Sequence, residues 1–157
     1  TELHIRRELA RTLAAKKSDE AVSFMYQLLE DEDAEMRRSA ANALRHLLPE
    51  NGDIRLAEAY SREQRNIVKL AIIYALGGYR TAESLRVLNE ALYDTDERLI
   101  FQAALELEGM NTEQADRLLL GLTRNASAEL KELGENARRR MNKRQKAARE
   151  NSKNNNR

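Results

Sequence analysis

Apolar residues recur along the chain at intervals of three and four, the spacing that places side chains on one face of a helix. Met36, Ala40, Ala43, Leu44 and Leu47 form one such stripe. Residues that favour turns separate the apolar segments. The pattern predicts helices over residues 2–15, 19–30, 34–48, 53–60, 62–76, 82–93, 97–108 and 113–123, and a last helix that begins near 126.

The helical pattern repeats with a period of about thirty residues. Three segments start with a basic residue and end with the pair Ala-Leu, and they lie at 37–44, 69–76 and 98–105. Their alanines Ala43, Ala75 and Ala104 are 32 and 29 residues apart, and weaker copies lie at 6–13 and 131–137. A period of this length is typical of helix pairs stacked into a solenoid.

The predicted helix ends carry residues with known turn chemistry. Ser18 and Thr81 are predicted to cap helix N-termini, because a hydroxyl can accept a hydrogen bond from an exposed backbone amide. Gly77-Gly78 is predicted to end the helix over 62–76 in the left-handed conformation, which side chains with a Cβ resist. Gly109 is predicted to end the helix over 97–108.

Composition favours an all-α fold. Ala, Leu, Glu and Arg form helices readily, whereas aromatic residues are 4% of the 157 and Trp is absent. We predict an α-solenoid of roughly four to five antiparallel helix-pair repeats over 1–140, with Leu44, Leu76 and Leu105 between its layers. Residues 141–157 are predicted to be a basic extension, disordered at its end because 151–157 has no apolar residue to bury.

Two segments carry a family resemblance. Asp33 to Leu47 and Asp94 to Gly109 each combine an acidic turn, a basic residue and a small-small-x-Ala-Leu step. This combination resembles the HEAT repeat, and most of all the short bacterial variety also seen in phycobilisome lyase-like proteins. The resemblance covers about residues 1–140, and it implies the stacked helix-pair fold.

The resemblance also implies specific contacts between repeats. Asp33 and Asp96 are expected to tie one repeat to the next through Arg37 or Arg98. The second repeat departs from the pattern, because its turn reads Ser61-Arg62-Glu63-Gln64 and its first helix is short. Such contacts are therefore not expected in the second repeat.

We predict a non-enzymatic protein–protein interaction module, such as an adaptor, scaffold or regulatory domain. Its partner, another protein, would bind on the concave surface that the second helix of each repeat lines. Residues of these helices off the buried stripe are the predicted partner-binding set: Arg38, Asn42, Arg45, Lys69, Ile73, Gln102 and Glu106. Ile73 is an apolar residue on a polar face. The alternative is that these are ordinary solvated positions.

Charge is distributed unevenly along the chain. Residues 1–137 carry 18 Lys and Arg against 25 Asp and Glu, whereas residues 138–157 carry 9 against 1. The basic segment predicts a second function, a nucleic-acid-associated module that contacts phosphate backbone, or an acidic partner, without reading sequence. The predicted contact residues are Arg138, Arg139, Arg140, Lys143, Arg144, Lys146 and Arg149. The alternative is an extension whose charge offsets the acidic body.

No catalytic, cofactor-binding or metal-binding set is recognisable in the sequence. Cys is absent, no Gly-rich phosphate loop is present, and His4 and His46 lie on different predicted helices. The run Glu30-Asp31-Glu32-Asp33 lacks the spaced oxygen ligands of a calcium loop. A lyase-like or DNA-glycosylase-like HEAT enzyme is a third alternative, which needs a pocket with aromatic residues and a placed carboxylate.

The remaining expectations concern location and processing. No apolar run approaches the roughly eighteen residues that span a bilayer, and the absence of Cys is compatible with a reducing compartment. We therefore expect a cytoplasmic protein. The start at Thr1, without a methionine, indicates a processed chain or a piece of a longer one.

Overall fold

The computed structural model describes residues 4, 5, 8, 12, 13, 15–125 and 127–155. Within these ranges the regular elements are eight helices: α1 (Asp19–Leu29), α2 (Ala34–Leu47), α3 (Gly52–Arg62), α4 (Asn66–Leu76), α5 (Ala82–Ala91), α6 (Glu97–Met110), α7 (Glu113–Leu122) and α8 (Ala128–Asn155). The helix predicted over 2–15 lies largely outside the described residues.

The helices form four successive pairs, which we number as repeats one to four. In repeats one to four the pairs are α1 with α2, α3 with α4, α5 with α6, and α7 with α8. The second helices also pack on one another, α2 on α4, α4 on α6 and α6 on α8, while α3 packs on α5. This arrangement confirms the all-α solenoid built from helix-pair repeats.

Equivalent core positions can be counted from the residues that cap the second helices. Asp33, Arg65 and Asp96 hold the N-cap positions of α2, α4 and α6, 32 and 31 residues apart. The residues seven, eight and eleven positions further on are buried in all three helices: Ala40, Ala41 and Leu44; Ile72, Ile73 and Leu76; Ala103, Ala104 and Leu107. Small or branched side chains at these positions let the second helices approach closely.

This register corrects the prediction for repeat three. Leu107, which is fully buried, fills the layer, whereas Leu105 is 59% exposed. The alignment of Ala-Leu pairs was wrong by two residues, because Ala103-Ala104-Leu105 imitates the pair found at Ala43-Leu44. Counting from the capped turn removes the ambiguity, because the cap fixes where the helix begins.

The turn before each second helix is held by a hydrogen bond between a side chain and an amide two residues further on. The donor amide and acceptor oxygen are Asp33 N and Asp31 Oδ1 (2.9 Å), Arg65 N and Glu63 Oε1 (2.8 Å), Asp96 N and Asp94 Oδ1 (2.9 Å), and Ser127 N and Asn125 Oδ1 (2.9 Å). The same turn therefore recurs every 31 or 32 residues. Asp and Asn favour it because their short side chains reach this amide without strain.

Repeat two joins the contacts between repeats, contrary to the expectation from its turn sequence. Arg37 Nε donates to Glu63 Oε2 at 2.7 Å, and Arg37 Nη2 donates to Glu63 Oε1 at 3.1 Å. The expectation failed because Glu63, one methylene longer than Asp, was not recognised as the turn carboxylate. Glu63 also leaves the helical path, and α4 therefore starts at Asn66 rather than at Arg62.

The aspartates at the helix N-termini play other roles than the resemblance implied. Asp33 caps its own helix, because its Oδ1 accepts from the Glu35 amide at 2.7 Å. Asp96 does link two repeats, but the donor is Asn66 Nδ2 at 2.6 Å. Arg98 stays within its own turn and pairs with Asp96 at 2.6 Å.

The N-cap predictions for Ser18 and Thr81 are confirmed, since their hydroxyls accept from backbone amides of the first turn. Helix α4 ends at Leu76 with Gly77 as its C-cap, as predicted, but the left-handed conformation predicted there and the helix end predicted at Gly109 are wrong. Gly77 has φ of −57°, and the left-handed residue in this turn is Arg80, with φ of 54°. Gly109 lies inside α6, which ends before the left-handed Asn111.

The basic C-terminal segment differs from its prediction. Helix α8 continues through Asn155, so 151–155 is helical where the sequence predicted disorder, and the predicted boundary at 140 and 141 falls within one helix. Residues 156 and 157 lie outside the described residues. After Gly134 the segment contains no Gly or Pro, and its many Arg, Lys and Ala residues propagate a helix without burial.

Candidate functional site

The second helices present a continuous face to solvent, which we call the second-helix face. The residues five and nine positions after each N-cap lie on it: Arg38 and Asn42 of α2, Leu70 and Tyr74 of α4, and Phe101 and Leu105 of α6. The face is polar in repeat one and apolar in repeats two and three. Large apolar side chains that lie together on a solvent-facing surface call for an explanation, because their contact with water is less favourable than their burial.

A groove of about 430 Å³ opens on this face between α6 and α8. We call it the apolar groove, and its apolar lining is Leu70, Phe101, Ala104, Leu105, Leu133 and Ala137. Phe101 is 44% exposed and Leu105 is 59% exposed. The groove is therefore open to solvent, and covering its apolar side chains with a partner would lower the free energy.

The rim of the apolar groove is cationic. Arg98 and Arg140 line it, and each guanidinium lies over a carboxylate that is more buried than itself. Arg98 is 71% exposed and its partner Asp96 14%, and Arg140 is 56% exposed and its partner Glu108 9%. The hydrogen bonds from Arg98 lower the pKa of Asp96, and those from Arg140 lower the pKa of Glu108, so both carboxylates stay ionised.

A second cluster on the second-helix face links repeats one and three. Arg45 of α2 donates from Nη1 to the Tyr74 carbonyl oxygen at 2.6 Å and to Glu106 Oε2 of α6 at 2.9 Å. The Arg45 guanidinium also lies 4.6 Å from the centre of the Tyr74 ring. Gln102 Nε2 donates to the other Glu106 oxygen at 2.8 Å. Burial raises the pKa of Glu106, and the bonds from Arg45 and Gln102 offset only part of this.

Gly77 makes this link possible. The ion pair passes over the C-terminal end of α4, where a Cβ on Gly77 would lie 2.6 Å from Glu106 Cδ and 2.7 Å from Arg45 Nη1. Three predicted partner-binding residues thus meet in one place, Arg45, Gln102 and Glu106. They are bonded to one another, so Arg45 Nη1, Gln102 Nε2 and both Glu106 oxygens already have partners inside the protein.

The other predicted partner-binding residues lie outside this cluster. Arg38 pairs with Glu35 at 2.8 Å, and Asn42 is exposed. Lys69 lies over the ring of Tyr60 at 5.2 Å, at the position that Arg37 holds in repeat one. The structure contradicts the prediction for Ile73, which is fully buried because it is equivalent to Ala41 and Ala104.

Sequence reasoning missed Phe101 and Leu105, the two most exposed apolar residues of the groove. Leu105 was assigned to the space between layers because the alignment of repeat three was wrong by two residues, and Phe101 was not singled out. The signal that could have found them is the pair of acidic turns Asp31-Glu32-Asp33 and Asp94-Thr95-Asp96, which fixes the register. Counted from those turns, Phe101 and Leu105 occupy the positions of Arg38 and Asn42.

The predicted phosphate-binding residues of α8 fall into two groups. Arg138 pairs with Asp116 at 2.9 Å, and Arg140 and Arg144 pair with Glu108 at 2.7 and 3.1 Å. These three arginines therefore hold α8 against α6 and α7. The others are exposed, and among the described residues no ion pair joins them to a carboxylate; we call them the outer cations: Arg139, Lys143, Lys146 and Arg149.

The described part of the chain gives little support to a metal site or a membrane-spanning helix. No group of three or more His, Asp or Glu side chains there could hold a metal ion, and His4 and His46 are both exposed. No helix in the described ranges combines the length and apolarity needed to cross a membrane.

Comparison with known proteins agrees with the helix-pair architecture. Residues 3–77 match the family model described as HEAT repeats. That match includes repeat one and all of α3 and α4. No curated protein sequence matches the chain.

Proposed function

We propose, from the premise that the chain belongs to the HEAT-repeat family, that it is a non-catalytic protein-interaction module whose binding site is the apolar groove. HEAT repeats generally mediate protein–protein interaction. The observation that carries this proposal is the exposure of Phe101 and Leu105 beside a groove of about 430 Å³. Covering those side chains with a partner's apolar residues would remove them from water.

The architecture suits an adaptor or scaffold. The groove is lined by α4, α6 and α8, and α6 packs on both of the other two through buried Ala and Leu side chains. A preformed surface binds without a large ordering cost, because its side chains are already held by the layers beneath. Among the residues that line the groove the one carboxylate is Glu108, which is paired with Arg140 and not with a second acid or base of the kind that performs acid–base catalysis.

Substitution of a groove residue tests the proposal. Leu105→Glu places a charge in the groove at a position that is 59% exposed, so we expect folding to be retained. Ile54→Glu is the matched control, because Ile54 is 48% exposed but lies on α3, outside the groove. Proteins retained from nuclease-treated lysate by the native chain should be retained by Ile54→Glu and lost with Leu105→Glu. Identical retention by all three chains would contradict the proposal.

A second candidate function is polyanion binding by the outer cations. The observation that favours it is their exposure without internal ion-pair partners, on a helix whose other arginines are paired. Arg139, Lys143 and Lys146 are spaced by four and three residues, which places them along one side of α8. Such a row can neutralise phosphates without reading bases, and no aromatic residue in α8 is available for base stacking.

Salt dependence tests this second candidate. Binding of a labelled DNA duplex should weaken with salt, and replacing three outer cations with Gln should reduce the slope of log K against log salt by about 0.9 for each. Arg138→Gln is the control, because Arg138 is paired with Asp116 and should leave the slope unchanged. Truncation after Ala137 is a poorer test, because it also removes the buried Met141. An unchanged slope in the triple variant would count against the polyanion function.

A further inference from the structure

We propose that the occupant of the apolar groove is an amphipathic helix of a partner protein, with acidic residues flanking its apolar stripe. This inference rests on the proposed function and specifies the chemistry of the partner. It follows from three features of the groove: the periodicity of its walls, the state of their backbone groups, and the sign of the charge at the rim.

The walls of the groove have helical periodicity. The α6 wall is lined by Arg98, Phe101, Gln102, Ala104, Leu105 and Glu108, and the α8 wall by Leu133, Ala137 and Arg140. The α6 wall spans about ten residues, which is about 15 Å or roughly three turns. A helix that presents apolar residues at i, i+3 or i+4, and i+7 has side chains at matching intervals over that length.

The backbone of the walls rules out strand addition as the mode of binding. Strand addition requires a row of free N–H and C=O groups at a sheet edge. Both walls of this groove are helices, whose backbone groups are already used in their own i to i−4 hydrogen bonds. The groove therefore offers side-chain contacts only, which an already hydrogen-bonded helix can meet without leaving its own backbone groups unpaired.

The charge at the rim selects an acidic occupant. Asp96 and Glu108 lie beneath the guanidinium groups of Arg98, Arg140 and Arg144, so the positive groups are the ones that meet solvent. Glu108 is shared by two arginines, which leaves one positive charge in excess at this end of the groove. Carboxylates on the flanks of a docked helix would approach Arg98 and Arg140, whereas lysines there would be repelled.

Two synthetic helical peptides of about 18 residues, or five turns, test the charge rule. Both carry the same leucine stripe, and one has Glu at every flanking position where the other has Lys. Fluorescence anisotropy with the full chain should give an affinity for the Glu peptide that is at least about tenfold higher than for the Lys peptide. The preference should shrink in the Arg98→Gln, Arg140→Gln variant, and binding should be lost in Leu105→Glu but kept in Ile54→Glu.

The outcomes separate this inference from the function on which it rests. Equal binding of the two peptides, sensitive to Leu105→Glu, would overturn the acidic partner while leaving the groove as a protein-binding site. Stronger binding of the Lys peptide would do the same. Binding of neither peptide, or binding insensitive to Leu105→Glu, would contradict an amphipathic helix as occupant, and the lysate comparison would then decide the function alone. A dimer in sedimentation equilibrium that Leu105→Glu dissociates would identify the occupant as a second copy of the chain and overturn the proposal.

Discussion

Arg37 of repeat one and Glu63 of repeat two form a two-point ion pair, with Nε–Oε2 at 2.7 Å and Nη2–Oε1 at 3.1 Å. Arg37 also donates from Nη1 to the carbonyl oxygens of Asp31 and Glu32, at 2.7 and 2.9 Å. One guanidinium thus joins the turn of its own repeat to the turn of the next. The Glu63 side chain is only 5% exposed, so the pair is largely removed from water.

A double-mutant cycle on Arg37→Ala and Glu63→Gln should give a coupling free energy of about 1–3 kcal/mol in urea unfolding. The matched control is Arg62 with Glu30, which also joins repeats one and two at 2.7 Å but is 60% and 59% exposed. Solvent screens that pair, and its coupling should be below about 1 kcal/mol. Equal couplings for the two pairs would show that burial does not determine the strength of these contacts.

Stability should fall in acid partly through Glu63. Burial alone would raise the pKa of Glu63, but the bonds from Arg37 and from the Arg65 and Gln64 amides lower it overall, below its ordinary value of 4.5. The unfolded chain therefore takes up a proton at this residue before the folded chain does. Its contribution is fully present above pH 4.5 and is lost as pH falls through the lower folded value.

Glu63→Gln should accordingly show a shallower loss of unfolding free energy below pH 4.5 than the native chain. Urea titrations at a series of pH values measure this directly. Glu30→Gln is the control, because Glu30 is exposed in its own pair. If Glu63→Gln loses stability in acid as steeply as the native chain, then other carboxylates cause the loss of stability at low pH.

Gly77→Ala should destabilise the protein by about 1–3 kcal/mol, because the added Cβ would displace the Arg45–Glu106 ion pair from the end of α4. Gly77 has an ordinary helical φ, so backbone strain does not contribute. Gly109→Ala is the control, because a Cβ at Gly109 would face open space and the residue lies within α6. That substitution should stabilise by about 0.5–1 kcal/mol. Thermal unfolding of both variants checks this, because the melting temperature should fall for Gly77→Ala and rise for Gly109→Ala.

Tyr79→Phe should leave the unfolding free energy unchanged or raise it by up to about 1 kcal/mol. The Tyr79 hydroxyl is buried, and among the described residues it has no hydrogen-bond partner. Burial likewise raises the pKa of this tyrosine. Removing an unsatisfied hydroxyl avoids its desolvation penalty while the ring still packs. A loss of more than about 1 kcal/mol on chemical denaturation would mean that the hydroxyl is bonded in solution.

Several helices were predictable from sequence because they carry their own start signal. Asp33, Thr81 and Asp96 cap helices that begin where the pattern placed them. The start of α4 was missed because Glu63 serves as the turn carboxylate without the aspartate that marks the other turns. Leu107 is buried and Leu105 is exposed because they lie on different sides of α6. An alignment that is wrong by two residues therefore assigns the core position to the wrong leucine.

The candidate groove was harder to predict than the fold, because it arises where three helices from different repeats meet. Phe101 and Leu105 have the residue types of a core, and only their phase relative to Asp96 shows that they face outward. The pairing of Arg140 and Arg144 with Glu108 joins residues more than thirty positions apart. In the sequence these arginines therefore resemble one basic tail, whereas in the structure Arg140 and Arg144 hold α8 against α6.

The link from Arg45 to Glu106 bears on how the solenoid loses its structure. In most repeat arrays each unit touches only its neighbours, so unfolding can begin at either end and spread one unit at a time. Here repeat one is bonded directly to repeat three across the end of α4. Fraying of repeat one therefore also removes a bond from repeat three, and the first three repeats should melt with more cooperativity than a chain of nearest neighbours.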